Sequence, residues 1–260
     1  MKPIVLIPTF NEKGNISELI HLLREEMGVD LPILVVDSAS PDGTAQAVRE
    51  LQQVDRFLHL LEQPAKLGLG CAYLDGMDWV LKRDYDCLIT MDTDFSHHPR
   101  YLPLFLKEID NADLVIGTRY IPGGELRNWP ASRRMLSRFA NWYARTLMGL
   151  PFSDMTSGFH CFRTLLLKRI LRYRIHTEGY AFLMELKFLA IAQGARYREV
   201  PIIFSDRTYG DSKISKRVIL ESMLFVLQRM FYRKRTKQMA VRNQTLASSP
   251  KSSVLARHSD

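Results

Sequence analysis

Short, uninterrupted apolar runs alternate with helical patterns through the first half of this chain, and that alternation restricts its fold more than any other feature. The runs are Ile4–Ile7, Ile33–Asp37, Phe57–Leu61, a stretch through Leu88, Ile89 and Met91 that gives out at Asp92, and Ala112–Gly117. Between them, a helix is predicted from near Asn15, with Ile16, Leu19, Ile20, Leu22 and Leu23 on one face. A second follows the turn-rich loop 37–44, and a third opens at Lys66–Gly70 and runs to about Leu81. Strands and helices alternating at this spacing predict an α/β chain with a doubly wound, mostly parallel sheet and helices on both faces. Right-handed crossovers then bring the strand ends at Pro8, Asp37, Leu61, Asp92 and Gly117 to one rim.

Ligands of open α/β sheets bind outside the carboxyl ends of the strands. Asp92 and Asp94 stand there, two apart on an extended turn. Both can reach one hard divalent cation, Mg²⁺ or Mn²⁺, and such a cation carries a diphosphate. Solvated turn residues and helix caps are the common alternative for Asp-X-Asp. In Lys66-Leu67-Gly68-Leu69-Gly70, the glycines permit close backbone approach to an anion at a helix start. A plain strand–helix turn accounts for that spacing equally well.

The 260 residues suffice for one large domain, and a net charge of +8 favours anionic partners: phosphates, nucleic acid or acidic lipid. Cys71, Cys87 and Cys161 have no zinc spacing and read as reduced core residues of an intracellular chain. The apolar run ending at Pro8 is too short for a signal peptide. No stretch reaches the ~18 apolar residues that span a bilayer.

Downstream, arginines 119, 127, 133, 134 and 138 are interspersed with Gly123, Gly124, Asn128, Trp129 and Pro130. Either a solvated basic loop or a mobile segment ordered by a phosphate ligand fits this composition. A helix is predicted over Thr164–Leu171 and another after Glu178-Gly179-Tyr180, the latter bearing Glu185 in apolar surroundings as a ligand, a base or a paired structural acid. Tyr197–Phe204 reads as a strand. Residues 1–215 are expected to form the catalytic domain and 216–235 an apolar helix with a cationic end, lying on a membrane interface or docked on a partner or on the domain itself. A disordered tail is expected over 236–260.

The ordered set Pro8-Thr9-Phe10-Asn11-Glu12, Asp37 with Ser40-Pro41-Asp42-Gly43-Thr44, Lys66–Gly70 and Asp92-Thr93-Asp94-Phe95-Ser96-His97-His98-Pro99 resembles the family 2 glycosyltransferases of GT-A fold. More narrowly it is similar to the polyprenyl-phosphate mannose synthases. That likeness is carried by Gly117-Thr118-Arg119-Tyr120, Asn128-Trp129-Pro130, Thr156-Ser157-Gly158-Phe159, Glu199-Val200-Pro201-Ile202 and Arg207 with Gly210 and Ser212-Lys213. The chain departs from the family where Ser38 and Ala39 replace a usual Asp-Asn, Thr93 a usual alanine and His160 a usual arginine.

The resemblance implies a nucleotide-sugar donor, typically GDP-mannose, a divalent cation, and a polyprenyl (dolichyl) phosphate acceptor mannosylated with inversion. It implies that Asp92 and Asp94 hold the metal with Ser96 near it. Pro8, Phe10, Glu12, Asp37, Lys66, Gly68 and Thr93 would line the nucleotide, Arg207 and Lys213 would face the diphosphate, and Arg119, Arg133 and Ser137 would take the acceptor phosphate. A UDP-sugar donor is the nearest alternative, and a nucleic-acid-binding protein is an alternative of another class. The basic residues lie in glycine-containing loops beside carboxylates rather than on one helix, which favours the enzyme over a nucleic-acid binder. The expected setting is peripheral, at the cytoplasmic face of a membrane, with a membrane-anchoring subunit as a possible partner. A phosphate monoester is mostly dianionic at neutral pH, its second pKa being about 6, so such a nucleophile needs no strong base. Catalysis then consists of relieving repulsion between two anions.

Overall fold

The computed structural model describes residues 1–205 and 221–230. Strand β1 (Pro3–Thr9), helix α1 (Lys13–Met27), β2 (Ile33–Asp37), α2 (Thr44–Gln52), β3 (Leu58–Glu62), α3 (Leu69–Leu81) and β4 (Cys87–Thr90) follow one another as expected. A 3-10 turn at Pro99–Tyr101 and α4 (Leu102–Ile109) lead to β5 (Leu114–Thr118), a short β6 (Glu125–Leu126) and α5 (Ala131–Met148). Then come β7 (His160–Arg163), α6 (Thr164–Ile170), α7 (Gly179–Ala192), β8 (Tyr197–Pro201) and β9 (Ile203–Phe204).

Among the described residues the main sheet has seven strands in the order β3-β2-β1-β4-β7-β5-β8. Every neighbouring pair is parallel except those of β7, which runs antiparallel between β4 and β5. The continuous apolar strands are buried on both sides. Ile4 and Leu6 pack toward α3, α6 and α7, whereas Val5 and Ile7 pack toward α1 and α4. Full burial of such a side chain contributes roughly 2 kcal/mol, so the central strands form a rigid base for the loops at their ends.

Three expectations need correction. The chain 160–163 is a strand; only the helix after it was expected. The basic stretch 119–141 is not one loop, because its second half is the start of α5. The predicted strand over 197–204 divides, with β9 leaving the main sheet to pair with β6. Residues 221–230 are helical, with Phe225 and Val226 in the core cluster, so this part of the predicted C-terminal helix docks on the domain. Of the helix expected over 216–235, positions 216–220 and 231–235 lie outside the described residues, as does the tail 236–260. No helix among the described residues is long and apolar enough to cross a membrane.

Candidate active site

One cleft of about 450 Å³ opens over the carboxyl ends of the parallel strands. Pro8, Thr9 and Phe10 come from the end of β1, Ser38 from β2, Lys66 and Gly68 from the loop after β3, and Arg119 from β5. The loop after β4 supplies Asp92, Thr93, Asp94 and His97. Glu12 and Arg133 complete the expected residues that line it.

Each rim loop is held by side chains of its own motif. Asp37 is buried; its Oδ1 accepts from Thr9 Oγ1 (3.0 Å) and Ser40 Oγ (2.6 Å), and its Oδ2 from Ser40 N (2.9 Å). It therefore stands behind the cleft wall and sets the loop, instead of lining the cleft. Asp42 Oδ1 accepts from the amide (2.9 Å) and hydroxyl (2.6 Å) of Thr44, and Thr44 Oγ1 in turn accepts from Glu12 N (2.9 Å). Burial would raise the Asp42 pKa, but these donors and the Lys13 amide hold it below the ordinary value. Gly68 has a φ of +102°, and a Cβ there would come within 2.5 Å of the Glu178 carboxylate. That carboxylate accepts from Gly70 N (2.8 Å), closing the Lys66–Gly70 loop onto the start of α7. Lys66 Nζ lies 3.7 Å from the centre of the Phe10 ring, so cation and aromatic face form one wall.

Asn11, Ala39 and Phe95 adopt positive φ in three of these loops. Asn tolerates that conformation readily, whereas alanine adopts it at a cost of about 1 kcal/mol. Ala39 is exposed, with φ of +54°. Ala39→Gly is therefore expected to raise stability by about 1 kcal/mol, read as a higher denaturant midpoint at unchanged slope.

Asp94 is only 7% exposed, while the Asp92 side chain is 41% exposed. Ser96 donates from its hydroxyl (2.5 Å) and amide (3.2 Å) to Asp94 Oδ1. It is buried, does not line the cleft, and holds Asp94 through these two bonds. Asp92 N donates to His97 Nδ1 (3.0 Å), which leaves the His97 proton on Nε2. Burial pushes the His97 pKa down, against the attraction of Asp92, and the ring stacks on Phe159 with centroids 4.8 Å apart. Thr93 Oγ1 donates to Pro8 O (3.3 Å), tying this loop to β1. Tyr73 OH stands 3.5 Å from Asp92 Oδ1. Among the described residues no cluster of three metal-ligating side chains occurs. Two carboxylates opening on one cleft nevertheless fit an oxygen-preferring ion that keeps waters and phosphate oxygens as its other ligands.

Opposite the carboxylates sits a buried ion pair. Arg119 donates to both oxygens of Asp154, from Nε (2.6 Å) and Nη2 (2.7 Å), and its Nη2 also donates to Thr156 Oγ1 (2.7 Å). Burial works against both charges, yet each is favoured by the other: Asp154 titrates below its ordinary value and Arg119 above its own. Arg133 stacks 3.8 Å over the Trp129 ring at the cleft mouth. Ser137 does not line the cleft; its hydroxyl meets Tyr120 OH at 2.6 Å. Arg207 and Lys213 lie outside the described residues.

Several residues of this site received no role from the sequence. His97 lies in the Asp92–Pro99 motif, and Asp154 stands two residues before the Thr156–Phe159 motif. Lys187 is the lone lysine within the apolar stretch 181–192, a pattern that implies a buried partner. Glu185 is a paired structural acid: it accepts from Thr177 Oγ1 (2.8 Å) and pairs with Arg229. Cys87 and Cys161 are core thiols, whereas Cys71 is half-buried, with Sγ 3.7 Å from Glu178 Oε1.

A mostly parallel sheet whose strand ends gather paired carboxylates, a glycine-bearing loop and a buried arginine in one cleft is the arrangement of a glycosyltransferase. Residues 4–172 match the model of glycosyl transferase family 2, and the chain belongs to that family of enzymes. It is 41% identical over 229 residues to the polyprenol monophosphomannose synthase of Mycolicibacterium smegmatis, covering 87% of this chain and 86% of that protein. It is 39% identical over 226 residues to the undecaprenyl-phosphate mannosyltransferase of Micrococcus luteus, covering 87% and 93%. Among solved structures it is similar to glucosyl-3-phosphoglycerate synthase from Mycobacterium tuberculosis in complex with Mn²⁺, UDP-glucose and phosphoglyceric acid. The TM-score is 0.63 at 17% identity, over 88% of this chain and 79% of that one, a likeness of GT-A-type fold alone.

Proposed function

We propose that this enzyme transfers mannose from GDP-mannose to a polyprenyl phosphate, with inversion, at the cytoplasmic surface of a membrane. The reading is carried by one observation: carboxylates suited to a cation–diphosphate and guanidinium groups suited to an anionic acceptor line the same cleft. The named activities of the two mannosyl-transferring relatives support the lipid acceptor.

In this reading Asp92 and Asp94 hold Mg²⁺ or Mn²⁺, which when bound supplies positive charge to the departing nucleoside diphosphate. Ser96 and His97 fix the loop that carries both carboxylates. Phe10, Glu12, Lys66 and Gly68 flank the nucleotide, and Lys66 adds a cation on that side. Arg119, steadied by Asp154 and Thr156, receives the acceptor phosphate together with Arg133. The phosphate oxygen attacks the anomeric carbon from the face opposite the diphosphate, and no general base is required. Purified enzyme given GDP-mannose, UDP-glucose or UDP-N-acetylglucosamine with a polyprenyl phosphate tests the donor. Turnover with GDP-mannose alone is expected; turnover with only a UDP-sugar would overturn the donor assignment.

The acceptor's hydrocarbon stays in a bilayer, and one face of the enzyme suits that setting. Met135, Leu136, Phe139 and Trp142 of α5 are between 55% and 72% exposed. They lie beside Arg134, Arg138 and Arg145, all exposed. Tyr143 OH donates to Met223 O (3.3 Å), so the helical segment 221–230 runs alongside and adds exposed Met223, Leu224 and Leu227. Such an apolar face among arginines fits an anionic lipid surface. Arg133, one turn toward the start of α5, lines the cleft, so lipid held at this face reaches the site. The doubly substituted chain Leu136→Glu/Phe139→Glu is expected to bind anionic vesicles about a hundredfold more weakly, from roughly 3 kcal/mol of lost apolar burial. Its turnover of a short, water-soluble acceptor should persist. Unchanged vesicle binding would remove this face from the proposal.

A further inference from the structure

Lys187 on α7 has no exposed surface. Its Nζ donates to Ser157 O (2.8 Å) and Met155 O (3.1 Å). Those two carbonyls flank Thr156, whose hydroxyl meets Arg119, and they follow directly on Asp154, which grips Arg119 with both oxygens. The same loop is tied elsewhere by neutral groups: Met155 N donates to Asn141 Oδ1 (2.7 Å), and Thr90 Oγ1 donates to Gly158 O (2.7 Å). A neutral donor thus suffices to hold a carbonyl here, and an ammonium buried at this depth is costly. Its charge therefore calls for a role beyond tethering.

The charged and titratable groups facing Lys187 are Asp154 and Arg119 from the cleft side, Glu199 from β8 and His160 from β7. Burial pushes the Lys187 pKa down to about 7, with Asp154 acting against that shift. His160 is kept neutral by its own burial and by Lys187. When Lys187 is protonated, Asp154 therefore answers to two positive charges: Arg119, bonded to both its oxygens, and Lys187, acting on it through space. The Asp154 charge is not spent on Arg119 alone, and the positive potential at the guanidinium survives for a third partner in the cleft.

We propose that Lys187 is a positioning residue for the acceptor: by pinning the Met155 and Ser157 carbonyls and placing a cation behind Asp154, it holds the Arg119 guanidinium in place and leaves it positive toward an incoming phosphate. This rests on the reading above, in which Arg119 receives the acceptor.

The test compares the full-length wild type with Lys187→Met and Lys187→Arg, using citronellyl phosphate as a short, soluble polyprenyl monophosphate. Lys187→Met is expected to raise KM for citronellyl phosphate about tenfold while KM for the sugar nucleotide moves less than about twofold. Lys187→Arg should recover most of that loss. In an Arg119→Lys background the same Lys187→Met change should alter acceptor KM by less than about twofold, since the two act through one contact. Equal losses for donor and acceptor, or full additivity with Arg119→Lys, would overturn the proposal. If Lys187→Met does not fold, Lys187→Gln, which keeps a donor but no charge, takes its place in each comparison. Should the wild type transfer no sugar at all, the functional reading fails, and calorimetric binding of citronellyl phosphate decides Lys187. About tenfold weaker binding in the methionine variant supports its role; equal binding, or none by the wild type, overturns it.

Discussion

Asp94→Asn is expected to lower kcat for sugar transfer by about a hundredfold or more, and Asp94→Ala by about a thousandfold. The asparagine keeps an oxygen for the Ser96 amide and hydroxyl, which now bond Asp94 Oδ1, and so keeps the turn while removing the charge. Alanine loses both. The turn also restrains Phe95 at φ of +60°, a conformation costing of order 1 kcal/mol that persists only when its surroundings hold it. The two variants should therefore separate in thermal unfolding, with Asp94→Asn near wild type and Asp94→Ala lower. In the proposed reaction, positive charge supplied to the departing diphosphate would lower the barrier by several kcal/mol, each ~1.4 kcal/mol being tenfold in rate. Asp94→Asn turning over within about twofold of wild type would show that the carboxylate carries no cation in the reaction.

Arg119→Met is the substitution expected to cost the most stability. Asp154 is completely buried, and the guanidinium is bonded to both of its oxygens. Removing one partner of a buried pair leaves a charge in the core, at about 3–5 kcal/mol, whereas replacing both partners by apolar groups costs far less. Arg119→Met/Asp154→Leu should therefore regain much of the loss in a denaturant titration and remain inactive. The pH dependence gives the sign. In the wild type Asp154 titrates below its ordinary value of 3.8, so its contribution is present above that value and lost as pH falls through the folded-state pKa. In Arg119→Met, desolvation, the largest influence on this carboxyl, outweighs what remains against it, the Lys187 charge and the Thr156 and Ser157 donors, and raises the folded-state pKa above the unfolded one. The unfolded chain then binds fewer protons across the interval, and stability falls as pH rises from about 4 toward neutrality. A variant whose stability stays flat over that range would mean that Lys187 and the loop amides alone compensate Asp154.

The rim of this enzyme was legible because its strands are continuous apolar runs that end in loops of distinctive composition. Ile4–Ile7 and Ile33–Asp37 could be little else, and their faces do alternate between the two cores. β7 was hidden because His160-Cys161-Phe162-Arg163 is short and lacks β-branched residues. It is a strand because β4 and β5 leave a gap that it fills on both edges. α5 was obscured by its arginines and by the Gly-Gly and Trp-Pro before it, although Leu136, Phe139 and Tyr143 already had helical spacing. In the site, motif residues on the rim loops were found because their order along the chain is distinctive. Their orientation was not legible: Asp37, Ser96 and Ser137 turn away from the cleft to hold its walls. Asp154 and Lys187 act through partners some thirty residues distant, 35 for Asp154 with Arg119 and 32 for Lys187 with Met155, and no local pattern encodes such pairs.

Electron paramagnetic resonance of Mn²⁺ titrated into the enzyme with and without GDP tests the central assignment most directly. Free Mn²⁺ signal should be lost on binding in the presence of GDP, with the binding weakened about a hundredfold or more in both Asp92→Asn and Asp94→Asn. Tight GDP binding that needs no cation and is indifferent to both substitutions would contradict it.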